Sequence, residues 1–427
     1  MTMRPILDGL IRRFLVVGSL SVRYPDDRTS SHQGPQPGPG IAFHVTDWRA
    51  VRRMVLNPAL AFGEAYMDGT IIPVGCSIYD ALDLLLTNIA AGGRQPVMAV
   101  HALFGFAVKR WAQFNPARRA ARNAAHHYDL NGRLYALLLD HDRQYSCAYF
   151  PTGHETLDEA QAAKKRHIAA KLCLQPGMHV LDIGCGWGGL ALTLASEHGV
   201  RVTGITLSQE QLIAARARAE EAGLADRVRF ELLDYRELRS SYDRPGCDRP
   251  GYDCPGYDRI VSVGMFEHVG VSHYRQFFQV LHRSLAPGGV ALVHSIGRSH
   301  GPAATNPWLA KYIFPGGYAP ALSEVIPAVE RSGLIATDIE VLRLHYAETL
   351  RHWRRNALAK RDAIAALYDE RFCRMFEFYL AGAELAFRRK GHMVWQMQLA
   401  RQVDAVPLTR DYIADTEQPV ARISQPV

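Results

Sequence analysis

Cysteine is sparse and unpatterned in this 427-residue sequence: seven thiols, an odd number, with no repeated CxxC or Cys/His spacing. That excludes a disulfide framework and a structural zinc site, and a reducing compartment is expected. Long hydrophobic runs are missing too. No stretch approaches the roughly 20 apolar residues that cross a bilayer. The opening ILDGLIRRFLVVG carries two arginines inside its apolar run, unlike a secretory signal peptide. The protein is therefore expected in the cytoplasm, able to lie on a membrane but not to span one. Acidic residues are absent from 84–128, where Arg94, Lys109, Arg110, Arg118, Arg119 and Arg122 all fall. Such a patch suits nucleic acid, anionic lipid or plain water. The apolar run MAVHALFGFAV at 98–108, followed by Trp111, turns the balance toward a membrane surface, so no nucleic-acid partner is expected.

What is present describes a globular protein. Apolar residues make up 48% and charged residues 21%, which excludes disordered and fibrous classes. The length exceeds what one core accommodates, so two domains are expected. Residues 26–40, DDRTSSHQGPQPGPG, read as a loop, and 41–71 as a strand, a helix and a turn. A polar, small-residue, basic stretch at 112–125, AQFNPARRAARNAA, places a domain boundary there. This gives a smaller α+β domain over 1–125 and a second domain over 126–427.

From Pro176 onward strands and helices alternate. MHVLDI, RVTGITL, VRFELLDY, DRIVSVGMF and VALVHSIG read as strands, with helices at GGLALTLASEHG, QEQLIAARARAEEAG and HYRQFFQVLHRSL. Ser208 with Gln211 three residues on has the spacing of a capping box. The pattern predicts an α/β fold with a doubly wound, mostly parallel sheet. One interruption, YDRPGCDRPGYDCPGYDR at 242–258, repeats a five-residue unit too short and too polar to stack as a solenoid. It reads as a surface insertion without a catalytic role.

The chemistry concentrates at strand ends. VLDIGCGWGG at 180–189 sets Asp182, Gly184, Gly186 and Gly188 directly after a strand and before a helix. Glycines there allow a tight turn and close approach of a ligand to the backbone. The spacing lacks the phosphate-binding register of dinucleotide folds, which favours a ligand with an amino acid part, such as S-adenosylmethionine. The next strand ends in Thr206, Leu207 and Ser208, without the acidic residue that usually holds ribose hydroxyls. Then VSVGMFEHVG at 261–270 places Glu267 and His268 at a strand tip, where open α/β sheets bind ligands.

These segments occur in a recognisable order: HYD at 127–129, YSCAYF at 145–150, LQPGMHVLDIGCGWGG at 174–189, ITLSQEQ at 205–211, SVGMFEHVG at 262–270, LVHSIG at 292–297 and PWLAKYIFPGGY at 307–318. Together they closely resemble the cyclopropane-fatty-acyl-phospholipid synthase family, whose catalytic part is shared by the mycolic acid cyclopropane synthases. The resemblance covers nearly all of 41–400. It includes GEAYMDG at 63–69, a mark of the longer, phospholipid-acting members.

The resemblance implies an S-adenosylmethionine-dependent methyltransferase fold and an unsaturated phospholipid substrate. It implies that Tyr145 and Ser146, the glycine turn with Asp182, and Thr206, Leu207, Ser208 and Gln211 hold the cofactor, with Tyr235 beside the adenine. It accounts for the missing acidic residue, since the family uses Leu-Ser there. It further implies a bicarbonate ion held by Cys147, Glu267, His294 and Tyr346. In the implied reaction, a cis double bond takes the sulfonium methyl, a carbocation forms on the acyl chain, and a proton leaves the new methyl as the ring closes. A base must stand near that methyl while no nucleophile reaches the cation. The N-terminal domain is expected to serve lipid docking or contacts within a homodimer.

Each site residue has a plainer reading. Cys147 can be a packed thiol, His294 a satisfied core histidine, Tyr346 an ordinary half-buried tyrosine. His268 reads as structural, since strand alternation would point it away from Glu267. Many relatives carry a late cysteine where this chain has Ala383 in YLAGAELAFRR, which excludes a covalent role for that thiol here. Three functions remain open: ring formation on phospholipid acyl chains, transfer of an intact methyl to an acyl chain or small amine, and non-catalytic lipid binding.

Overall fold

In the computed structural model, residues 3–93, 132–238 and 256–417 are described. The expected domain boundary, the basic and apolar segment 94–128, the HYD triplet and residues 242–255 of the tandem insertion lie outside them.

The N-terminal part builds a small sheet covered by helices. Its elements are α1 (Arg4–Phe14), β1 (Val17–Arg23), β2 (Thr29–Gln33), β3 (Gln36–Val45), α2 (Trp48–Leu56), α3 (Pro58–Met67), β4 (Ile71–Val74) and α4 (Ile78–Ala90). The sheet order is β2-β1-β3-β4. This corrects the expected loop at 26–40. Tyr24 and Arg28 close a tight turn in which Asp27 takes φ 61°, so 29–33 folds back antiparallel on β1. Pro37 and Pro39 fall where the β1–β3 register shifts, a bulge that spares them from donating to the ladder.

The larger part continues with α5 (Gly132–Leu138), α6 (Leu157–Lys171), β5 (His179–Ile183), α7 (Gly189–His198), β6 (Arg201–Thr206), α8 (Gln209–Glu221), β7 (Val228–Leu232), β8 (Tyr257–Val263), α9 (Tyr274–Ser284) and β9 (Leu285–Arg298). It ends with α10 (Pro307–Tyr312), α11 (Leu322–Glu330), β10 (Ile335–Leu342), α12 (His345–Ala359), α13 (Arg361–Leu367), α14 (Glu370–Arg389), β11 (His392–Ala400) and α15 (Asp411–Glu417). Seven strands form one sheet in the order β10-β11-β9-β8-β5-β6-β7. The run from β9 to β7 is parallel, and β11 is antiparallel to both its neighbours. The predicted doubly wound, mostly parallel α/β sheet is therefore present.

Apolar clusters occupy both faces of that sheet. Phe277, Leu281, Val325 and Val329 pack on one side, and Ile168, Leu190, Leu194 and Leu212 on the other. The last two residues of the expected insertion prove structural. Tyr257 and Asp258 open β8, and the Asp258 carboxylate accepts the His179 N–H at 2.8 Å.

The GEAYMDG motif joins the two parts. Buried Glu64 accepts from Lys311 Nζ at 2.7 Å, from the Tyr312 hydroxyl at 2.8 Å and from Arg53. Tyr66 donates to Glu377 at 3.0 Å. A side chain at Gly63 would meet the Trp308 ring at 2.6 Å, so only glycine permits that approach.

Candidate active site

Strand order reverses between β5 and its neighbours β6 and β8, and open α/β sheets form a crevice at such a point. Here the carboxyl ends of β5 to β8 enclose a cleft of about 880 Å³, its open mouth included. Among the expected cofactor residues, Gly184, Gly186, Thr206, Leu207, Ser208, Gln211 and Tyr235 line it. Gly184 has φ 85°, and a Cβ there would press on Met265 at 3.0 Å. Gly188, at φ 82°, packs against Phe230 instead, where a Cβ would come within 2.7 Å. It seats α7 on the sheet and does not border the cleft.

The segment after β6 differs from a full capping box. Ser208 Oγ accepts the Gln211 N–H at 3.3 Å, capping α8. The Gln211 side chain turns instead to the Thr206 hydroxyl, which donates to its Oε1 at 2.9 Å. Thr206 Oγ1 in turn accepts the Ser208 N–H at 3.1 Å. The three polar residues lock one another along the cleft wall.

Tyr145, Ser146 and Asp182, also expected to hold the cofactor, are not among the residues that line this cleft. Tyr145 stacks on Trp353 at 5.0 Å between ring centres, and its hydroxyl meets that of Tyr379 at 3.1 Å. Asp182 is buried on β5, its Oδ2 has no hydrogen-bonding partner among the described residues, and burial raises its carboxyl to about 7. The backbone around Ser146 has no regular ladder, so side chains must satisfy it. Gln161 donates to the Ser146 carbonyl at 3.0 Å, and the Thr349 hydroxyl accepts the Ala148 N–H at 3.0 Å. Lys164 Nζ donates to Ser146 Oγ at 2.9 Å and to Gln144 Oε1 at 2.6 Å. Fully buried, Lys164 is pulled down to about 8 by desolvation, against the attraction of Asp140.

Beyond β8 the chain makes a 3-10 turn, Phe266–His268, and not a strand extension. Glu267 Oε1 accepts the Ile296 N–H at 2.6 Å, which brings the carboxyl to β9 two residues past His294. Glu267 Oε2 is buried with no partner among the described residues. Burial, opposed mainly by the Ile296 N–H, raises Glu267 to about 7. His294 is buried on β9, and desolvation with the nearby Lys164 and Lys171 lowers it to about 3, so its ring is neutral. Its Nδ1 lies 3.2 Å from Gln396 Nε2.

Cys147 and Tyr346 belong to one apolar cluster with Trp353 and Phe387, against which Ile296 packs. The Tyr346 ring stands edge-on to Phe387 at 5.0 Å and to Trp353 at 5.8 Å. Cys147 Sγ contacts the Ala148 carbonyl at 3.3 Å, and burial pushes its thiol far up, so it is no thiolate. Ala383 sits on α14 at the edge of the same cluster.

Two kinds of residue escaped the sequence reading. His268 was expected to be structural and to point away from Glu267; it lines the cleft, whose lining does not include Glu267. Successive residues in a 3-10 turn are about 120° apart, so strand alternation does not apply. Burial lowers its imidazole to about 4. Arg236 and Met265 also line the cleft without any motif to mark them. The second kind lies on α6, where Gln161, Lys164, His167 and Lys171 are buried. Their spacing of three and four is the signal that was available: polar residues at the period of an apolar helix face.

Comparison with known proteins agrees with this architecture. The family model described as mycolic acid cyclopropane synthetase matches residues 115–397. The cyclopropane-fatty-acyl-phospholipid synthase of Escherichia coli is 38% identical, over 83% of this chain and 86% of its own length. The tuberculostearic acid methyltransferase of Mycobacterium tuberculosis is 34% identical, over 93% of this chain and 91% of its own. Among solved structures, mycolic acid cyclopropane synthase CmaA1 complexed with SAH and CTAB superposes with a TM-score of 0.59 at 31% identity. That match covers 67% of this chain and 99% of the other. A doubly wound sheet, a glycine turn opening on a cleft at its switch point, and these matches together make the chain an S-adenosylmethionine-dependent methyltransferase that belongs to the mycolic acid cyclopropane synthetase family.

Proposed function

We propose that the protein adds a methylene from S-adenosylmethionine across a cis double bond of an unsaturated phospholipid acyl chain. The observation that carries this reading is a buried carboxylate oxygen without a partner among the described residues, Glu267 Oε2, in a carboxyl that reaches β9 two residues past the buried ring of His294. Glu267 stands in the turn beyond β8, and His294 on the adjacent strand β9 pairs with Val263 at the end of β8. Buried polar groups are normally satisfied, so this oxygen fits a small hydrogen-bonding ion such as bicarbonate.

Bound S-adenosylmethionine supplies an electrophilic methyl, and bound bicarbonate supplies a base for the proton that ring closure releases. The residues of the chain do the rest. Gly184, Gly186, Thr206, Leu207, Ser208, Gln211 and Tyr235 would hold the cofactor at the cleft. Lys164 fixes the Tyr145–Cys147 segment through Ser146. Glu267, near 7, can carry a proton and so lie beside an anion without like-charge repulsion. His294 contributes a neutral ring, and Tyr346 and Cys147 would complete the cradle from the apolar side. A cation on the acyl chain would meet no thiolate, because burial keeps Cys147 protonated.

The test uses S-adenosylmethionine with a fully deuterated methyl and vesicles of unsaturated phospholipid, with mass spectrometry of the acyl chains. Two deuteriums retained per added carbon are expected. Three would establish plain methyl transfer, the reading that similarity to the tuberculostearic acid methyltransferase favours. A labelled small amine with no labelled lipid would remove both.

The same preparation tests membrane association at the inner, anionic face, the role we propose for the basic and apolar stretch before residue 128. The protein is expected to sediment with anionic vesicles and to stay in solution at high salt, where charge attraction is screened. Sedimentation that ignores both salt and lipid charge would rule out an electrostatic dock.

A further inference from the structure

We infer that Lys171 and Gln396 act as positioning residues that set the tautomer of His294, placing its proton on Nε2. For its part in the reaction this rests on the anion-cradle reading; the tautomer itself does not.

Gln396 on β11 is the cross-strand partner of His294 on β9, and both are buried. A primary amide has one accepting end and one donating end, so its orientation follows from its neighbours. Gln396 Oε1 lies 3.0 Å from Lys171 Nζ. Lys171 is fully buried on α6 and paired with Glu340 and, at 3.7 Å, with Asp338. An ammonium held between carboxylates has only N–H groups to offer, so the amide oxygen must face it. The opposite orientation would aim two N–H groups at an ammonium.

The consequence passes across the amide. Its Nε2 hydrogens face His294 Nδ1 at 3.2 Å, so Nδ1 must accept. A neutral imidazole has one ring proton, which then sits on Nε2. His294 therefore presents a single N–H to whatever occupies the site and has no lone pair there to take a proton. It can orient an anion but cannot be the base. The lowered pKa of His294 agrees with a ring that stays neutral. This is the logic by which an outer hydrogen-bond partner fixes the ring of a metal-bound histidine, applied here to an organic site.

The experiment is nitrogen NMR of the full chain labelled with 15N-histidine, with His294→Gln used to identify the resonance by its loss. In the wild type, Nε2 is expected to be pyrrole-type and Nδ1 pyridine-type. Gln396→Glu keeps the shape but sets a carboxylate oxygen against Nδ1, so Nδ1 should become protonated. Turnover should then fall at least about tenfold, the lower end for loss of an orienting partner, with KM for S-adenosylmethionine unchanged. Lys171→Met frees the amide to turn, and signals of both tautomers are expected. A wild-type proton on Nδ1 would overturn the inference, as would a tautomer that neither variant changes. If the tautomer moves while turnover does not, the assignment stands and the anion-cradle reading fails.

Discussion

Glu267→Gln cuts turnover by at least about tenfold while leaving S-adenosylmethionine affinity unchanged, the low end for a lost proton-handling group. Its Oε1 is engaged by the Ile296 N–H at 2.6 Å, and its Oε2 has no partner among the described residues. Glutamine preserves shape and removes the ionisable proton. Steady-state kinetics with cofactor binding measured separately decides the matter, and wild-type turnover in the variant would remove Glu267 from the chemistry. A stability measurement separates this loss from unfolding. Burial raises the folded carboxyl from 4.5 to about 7, so the folded state binds the proton more tightly than the unfolded one. Stability from this group is full below about pH 4.5, declines as pH rises toward 7, and is level above. The variant lacks that decline. At pH 8 it should be more stable than wild type by at most about 3 kcal/mol. Thermal unfolding at pH 5 and pH 8 should show the two proteins diverging at the higher pH. A variant less stable than wild type at pH 8 would mean that Glu267 is held ionised by something else.

Phe266→Ala, one residue earlier, should instead damage the fold. Phe266 is fully buried and meets four aromatic rings: Tyr274 at 4.5 Å, Phe277 at 5.2 Å, Phe278 at 5.4 Å and Trp395 at 5.6 Å. Truncating a buried phenylalanine costs about 3–5 kcal/mol, because the transfer loss adds to the cavity left behind. The residue also anchors the 3-10 turn that carries Glu267 and His268. Chemical denaturation should report that loss, and turnover should fall even at temperatures where the variant stays folded. An effect below about 1 kcal/mol would show that the aromatic cluster closes over the gap. The two neighbours thus separate cleanly: one substitution removes chemistry and adds stability, the other removes stability first.

Much of this was written locally. The glycine turn, the alternation of strand and helix from Pro176, and the polar wall from Thr206 to Gln211 are short-range patterns. Backbone geometry and side-chain period read them without reference to the rest of the chain. Glu267 follows a strand for the same reason, whereas Tyr235 was marked only by the family resemblance; both lie in 3-10 turns just beyond their strands. Where local rules competed with pairing, they lost. Residues 26–40 look like a loop because proline and glycine are poor strand formers, yet β1 offers a partner and a bulge absorbs the prolines. His268 read as structural because a strand was assumed to continue, and a 3-10 turn sets it at the cleft instead.

What the sequence by itself determined is the fold class and the glycine turn and Thr206–Gln211 wall that border the cleft, because these follow from spacings within single strand–turn–helix units. Only the tertiary structure decided what stands around them. Lys164 reaches Ser146 from a helix that starts eleven residues later, at Leu157, and Lys171 reaches Gln396 across 225 positions. A lysine in AKKRH gives no local sign of facing inward, since burial of a charge is possible only where distant chain supplies its partners. The protonation states of Glu267, His294 and Lys164 are likewise set by desolvation, a property that exists only once the sheet and helices have closed around them.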